Sequence, residues 1–469
     1  MPSTPPTRSP LPLYEPAAPD PGSGRRLDLA AGAAALALFA MVASVGAYLL
    51  SRSPSLHVGW PPLEADWGPH LGPGTPAAVA VAALAVGYGP RLAARLPSRA
   101  LPWATWAAAM AWTWSLALVD GWQRGVAGRL TGSGEYLRGL DRFQHFSSTV
   151  HDFTGHILIN SPNNWGTHIA GHPIGAVLTF VGLDRIGLGG GAWAGAFCIT
   201  AGSSAAAAVL VTLRLLAGEN RARAAAPFLA LAPGAVWVGV SADGYFAAVA
   251  AWALALLALA TTRTRAWQTA VAASASGLLL GAAVYLSYGL TLLAIPVLAV
   301  LLCTRRARPL LYLLPACAAV ALVFTLLGFN WWQAYGLLKT RYYQGYGGVR
   351  PYAYWMWGNL GAVVAAAGVA AAAGMRRVLA AAPSAIRQWR RHADPQAVAA
   401  VALPCALLLA VLAADLSGMS KAETERIWLP FTLWLPATAA LLPARDHRGW
   451  LSAQAATALL INHLLLTDW

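Results

Sequence analysis

Charge is what this chain has least of. Only 11% of its 469 residues are Asp, Glu, Lys or Arg. Hydrophobic residues make up 58% and the mean hydropathy is +0.54, which excludes an ordinary soluble domain. Lysine is nearly missing: Lys339 and Lys421 stand against thirty arginines among the 32 basic residues. Cysteine is scarce too. Cys198, Cys303, Cys317 and Cys405 all fall inside apolar segments, and their spacing fits neither a metal site nor a disulfide framework. Walker, Rossmann, HExxH and GxSxG motifs are all missing. The chain therefore has no visible means of using ATP or a nucleotide cofactor. An enzyme built this way needs a substrate already activated and delivered in the membrane.

What is there in quantity is continuous apolar sequence. Runs lie near 28–50, 76–90, 101–119, 191–213, 224–240, 244–262, 267–284, 288–303, 309–328, 354–373, 396–414, 429–443 and 450–466, with a shorter one at 173–183. The runs are continuous rather than alternating, which excludes a β-barrel and predicts an all-α, polytopic transmembrane helical bundle of about 13–14 membrane segments. Residues 1–27 read as a disordered cytoplasmic tail, rich in Pro and Ser and ending in Arg25-Arg26. Residues 28–100 hold two N-terminal transmembrane helices, 101–440 a core that includes a long outer loop of short interfacial helices at 120–172, and 441–469 a C-terminal transmembrane helix.

The net charge of +14 does not point to nucleic acid, because the arginines sit in the short turns between apolar runs. Placing those turns in the cytoplasm puts 21 of the 32 basic residues inside and leaves 120–172, 329–353 and 415–428 outside. The scheme requires 173–183 to dip in and return rather than cross. The Arg, Ala, Gly and Pro usage fits a GC-rich bacterial genome, and so a multi-pass protein of the bacterial plasma membrane with its polar site facing outside.

That polar site is an island. Residues 120–175 carry Asp120, Glu135, Asp141, His145, His151, Asp152, His156, His168 and His172 within an otherwise oily chain. Asp120, in Leu118-Val119-Asp120-Gly121, closes an apolar helix. It is either a helix-terminal acid facing interfacial water or a carboxylate fixed on a rigid element, the placement a general base needs. His168 and His172 are spaced i, i+4, yet Pro173 starts or breaks a helix there, which sets His172 at a helix N-terminus suited to an anion. Asp243, in a short turn, is a plain loop acid or a second carboxylate of the same cavity. Glu425 and Arg426 precede a late apolar segment, and the guanidinium suits a lipid-linked phosphate as well as a surface ion pair. The aromatics from Trp331 to Trp357 read as an interfacial girdle or as sugar platforms.

Three features together resemble the GT-C superfamily of integral-membrane glycosyltransferases, particularly actinobacterial members. They are Asp120 opening a long outer loop, His172-Pro173-Ile174-Gly175 at the start of the next segment, and Glu425-Arg426-Ile427-Trp428-Leu429-Pro430 late in the chain. Ile174 stands where the family usually has a second proline, and Gly121 follows Asp120 where a second acid is frequent. The resemblance implies transfer of a sugar from a polyprenyl-phosphate donor to a glycan, lipid or protein acceptor of the cell envelope. It leaves the catalytic carboxylate open between Asp120, Glu135, Asp141 and Asp152. Asp120 and Glu135 are the leading catalytic candidates, with Asp152, His168, His172, Asp243, Glu425 and Arg426 as substrate-binding candidates. No cofactor is called for; a divalent metal ion is left open without a clear ligand set. The rival reading is a transporter or flippase of a lipid-linked or small polar substrate, which would place ionisable residues near the middle of its spans.

Overall fold

The computed structural model describes residues 21–469. It is a helical bundle; among the described residues the only strands are the three-residue β1 (Ala65–Trp67) and β2 (Leu465–Thr467), paired antiparallel. Among the described residues six helices are long and apolar enough to cross a membrane. They include α1 (Pro21–Arg52), α2 (Thr75–Arg95), α8 (Ala242–Thr262), α9 (Ala266–Leu286) and α15 (Pro395–Leu416). The sixth is the continuous stretch made by α5 (Gly191–Ser203) and α6 (Ala205–Leu216). Leucines such as Leu311, Leu322 and Leu326 stand outward and exposed, as helices facing lipid require.

Fewer segments are full-length than the apolar runs suggest. Several are short or broken: α3 (Leu101–Ala117), α7 (Glu219–Ala230), α10 (Ala294–Thr304) and α16 (His447–Leu464). Two further helices bend sharply at their ends. The helix α11 (Leu310–Leu326) meets α12 (Trp331–Gln344) at 76°, and α13 (Tyr352–Ala367) meets α14 (Val369–Arg391) at 104°. The second bend pivots on Gly368, whose φ of 85° and ψ of 160° only glycine adopts without strain. The tail expected over residues 1–27 falls mostly where nothing is described. Residues 1–20 lie outside the described residues, and Arg25 and Arg26 already belong to α1. Nor is 441–469 helical throughout, since β2 carries the chain away from α16 after Leu464.

The arginines of the short turns gather at one end of the bundle. Arg223 donates to the carbonyls of Ala93 and Leu96, and Arg376 and Arg377 enclose the buried Asp28. At the opposite, polar end, segment 118–174 folds into short helical turns, and α12 lies against it, with Arg341 donating to the carbonyls of Ile157 and Trp165.

The short helix α4 (Gly175–Arg185) starts and finishes at this polar end. Arg185 donates to the Phe143 carbonyl and stacks on Phe146, and α5 then begins against segment 123–131. Its eleven residues rise only about 16 Å, too short for a bilayer core. The dip-and-return path follows from this geometry. Cysteines introduced at Gly155 and Ile186, both exposed, are expected to label from the same side of sealed vesicles and a cysteine at Arg265 from the other; labelling of 155 and 186 from opposite sides would contradict the path.

Candidate functional site

The polar end is organised around one buried cation. Arg426 is 4% exposed. Its Nη1 donates to Asp243 Oδ2 at 2.6 Å, while Nη2 donates to Glu423 Oε2 at 2.5 Å and to His168 Nε2 at 3.0 Å. A guanidinium only donates, so His168 Nε2 is the acceptor in that contact. The His168 Nδ1 faces Glu135 Oε1 at 2.8 Å. His168, Arg426 and Asp243 form one bonded chain with Glu135 lying beside His168, drawn from the long loop, the start of α8 and the turn after α15. The indole of Trp469 covers the Arg426 guanidinium at 3.9 Å.

The turn that presents Arg426 is strained. Ala422 and Glu423 both have positive φ, 72° and 60°, a region non-glycine residues seldom enter. Arg350 holds them there. It donates to the Lys421 carbonyl at 2.8 Å and reaches Glu423 Oε1 at 3.5 Å, while also binding the carbonyls of Leu56 and His57 and the carboxylate of Glu64. The Glu64 amide in turn donates to Glu425 Oε1 at 2.8 Å. Loop 53–74 is thus tied to the Arg426 turn.

These acids differ because their surroundings differ. Burial works against charge on Glu423, but Arg426 and Arg350 outweigh it and hold that carboxyl at about 2. Burial, helped by Glu423, pushes Glu64 up to about 8 against the pull of Arg350. Burial pushes Glu425 up to about 7. Arg426 is desolvated, yet Asp243, Glu423 and Glu135 raise its pKa above the ordinary arginine value. His172 is driven by burial down to about 4 and is neutral at pH 7.

Asp120 anchors a neighbouring cluster. Its Oδ1 faces His70 Nε2 at 2.8 Å and its Oδ2 accepts from Arg129 at 2.6 Å, with Arg124 at 3.6 Å. Loop 53–74 reaches it because Gly72 lies directly on the Val119 carbonyl, where a Cβ would come within 1.7 Å. Arg129 and Arg124 also donate to the Thr467 carbonyl. Trp469, two residues on, covers Arg426, so one short segment connects the two clusters.

Of the residues singled out from the sequence, Glu135, His168, Asp243 and Arg426 converge directly, and Glu425 joins through Glu64. His172 lies beside them but turns back, its Nδ1 against the His168 carbonyl at 2.8 Å and the Tyr136 hydroxyl at 3.0 Å. It does not present its ring as a free anion site at the start of α4. Asp152 stays apart, exposed with His145 and His151 at an open depression bounded by Leu326–Gly328. Asp141 is exposed as well. Sequence reasoning passed over Glu64, His70, Arg129, Arg350, Glu423 and Trp469. Glu423 was the most accessible of these, three residues before Arg426 and so one helical turn away. Among the described residues no group of three or more His, Cys, Asp or Glu is arranged to hold a metal ion. Asp120 Oδ2 and Asp243 Oδ2 are each held by an arginine, while Asp120 Oδ1 faces His70.

No family model matches the chain, and no curated protein matches it. Among solved structures it is similar to an oligosaccharyltransferase from Archaeoglobus fulgidus, crystallised with zinc and sulfate. The identity is 16% and the TM-score 0.40; the likeness covers 75% of this chain and 51% of that one.

The shifted carboxyl of Glu64 has a consequence for stability. Between the unfolded value of 4.5 and the folded value of about 8, the folded state binds a proton that the unfolded chain has released. Stability from this group is therefore full below about pH 4.5 and is lost as pH rises to about 8. Glu64→Gln keeps an acceptor for Arg350 without the titration. Its melting temperature, minus that of the parent chain, is expected to rise between pH 5 and pH 8; a difference that stays flat would show that Glu64 is ionised throughout.

Proposed function

We propose that this chain is a membrane glycosyltransferase that moves a sugar from a polyprenyl-phosphate donor to a cell-envelope acceptor on the outer face of a bacterial plasma membrane. The observation that carries the reading is Arg426. It is a buried guanidinium at the polar end of an apolar bundle, its Nε has no partner among the described residues, and a short segment connects it to the carboxylate of Asp120. An anion delivered from the membrane and a base fixed on a helix end are what such a transfer requires. The order Asp120, His172-Pro173, Glu425-Arg426 along the chain, which resembles GT-C enzymes, supports the same reading.

The reaction is a direct displacement. The acceptor O–H gives its proton to the Asp120 carboxylate as the acceptor oxygen bonds to the anomeric carbon. The bond from that carbon to the phosphate oxygen breaks on the opposite face, and polyprenyl phosphate leaves with the electron pair. Charge grows on the leaving phosphate, and a preorganised cation in a dry site stabilises it more than water would. Arg426 fills that role. Glu135 lies against His168, whose ring fixes one edge of the guanidinium, and Asp243 fixes the other. His70 and Arg129 hold Asp120 in place.

The transporter reading is disfavoured by where the charge lies. No described acid sits in the middle of a span; they lie in loops or near helix ends, whereas a substrate path across the bilayer needs polar groups at depth. The test uses purified protein in lipid with polyprenyl-phosphate sugars and candidate acceptors. Parent protein is expected to release polyprenyl phosphate. Asp120→Asn, which leaves Arg129 its bond to the Thr467 carbonyl, is expected to stay folded and lose activity by about 10²–10⁴-fold. Full turnover in that variant would remove Asp120 as the base, and transport without transfer would overturn the enzyme reading.

A further inference from the structure

The segment after α16 does more than end a helix. Leu465–Thr467 pairs with Ala65–Trp67, and the Thr467 carbonyl is held by Arg129 and Arg124. The Thr467 hydroxyl then donates to the Trp469 carbonyl at 2.6 Å and turns the chain inward. The Trp469 ring lands on the Arg426 guanidinium and meets His168 edge-on at 5.6 Å.

A cation covered by an aromatic face is stabilised, and stability alone could account for the stacking. It does not account for the hydrogen atoms. Arg426 Nη1 and Nη2 donate to Asp243, Glu423 and His168, but among the described residues its Nε has no partner, and neither does Trp469 Nε1; both atoms are buried. Tryptophan can only donate. A buried donor left idle is costly, and here two idle donors lie on stacked groups in one site. Both would be satisfied by acceptor-only oxygens, which is what a phosphate offers. The segment that brings Trp469 there is pinned by the same arginines that hold Asp120, so the indole and the proposed base are set by one tether.

We propose that Trp469 is a substrate-contacting residue of the donor site. Its indole N–H and the Arg426 Nε–H take oxygens of the lipid-linked phosphate, and its ring forms the wall that keeps water from the guanidinium. This rests on the reading of the site as one for a lipid-linked phosphate.

The test measures binding rather than turnover. The full chain in lipid nanodiscs is titrated with farnesyl phosphate, with farnesol and with inorganic phosphate. Trp469→Phe keeps an aromatic face over Arg426 and removes the N–H. It is expected to bind farnesyl phosphate about tenfold more weakly, the scale of one hydrogen bond to a charged group, with farnesol binding and melting temperature unchanged. Wild-type affinity in Trp469→Phe overturns the proposal, as does an equal loss of farnesol and farnesyl phosphate, which marks a purely structural role. Inorganic phosphate binding as tightly as farnesyl phosphate overturns the lipid assignment. If the parent chain binds farnesyl phosphate through Trp469 yet transfers no sugar, the contact stands and the glycosyltransferase reading falls. If the parent chain does not bind farnesyl phosphate, both fall.

Discussion

Taking a guanidinium out of water is costly, and the polar end is built around that cost. An isolated buried charge is penalised by several kcal/mol, and a buried pair gains little over apolar residues of the same shape. Arg426 nonetheless sits 4% exposed among Asp243, Glu423, His168 and Trp469. Packing alone gives no reason to keep it there. A group that must meet charge arriving from the membrane does.

Much of the surrounding architecture serves to hold that one side chain. Arg350 fixes the strained turn at Ala422–Glu423 and draws in loop 53–74 through Leu56, His57 and Glu64. Asp243 comes from the first turn of α8, and His168 from the long loop, beside Glu135. Segment 465–469 closes the arrangement and joins it to Asp120. These pieces lie hundreds of residues apart in sequence. They meet because the helices they terminate all end on one side of the bundle, while the arginine-rich turns occupy the other.

That partition was legible in the sequence, since apolar length and arginine position are local properties. The brevity of the 173–183 run was enough to raise a return path, and the eleven residues of α4 agree with it. Asp243 and Arg426 could be named as candidates because each is a lone charge beside an apolar run. Their direct bond could not, because nothing in a sequence states which of several loops touch. The same limit hid His70 and Arg129, whose importance lies entirely in both reaching Asp120. It hid Trp469, which looked like the end of a helix until a three-residue ladder with β1 redirected it. Asp152 shows the reverse failure. Its position in the polar island made it a candidate, but the loop is wide enough to place it at a separate depression.

The account stands or falls on whether Arg426 is kept for function. The direct measurement is the paired replacement of Arg426→Met with Asp243→Leu, which removes both charges of the central bond and leaves Glu423 its contact with Arg350. Melting temperature in lipid and release of polyprenyl phosphate are then read on the same preparation. The account predicts a protein that melts within a few degrees of the parent chain and has lost transfer. A double variant that still transfers sugar at the parent rate would contradict it.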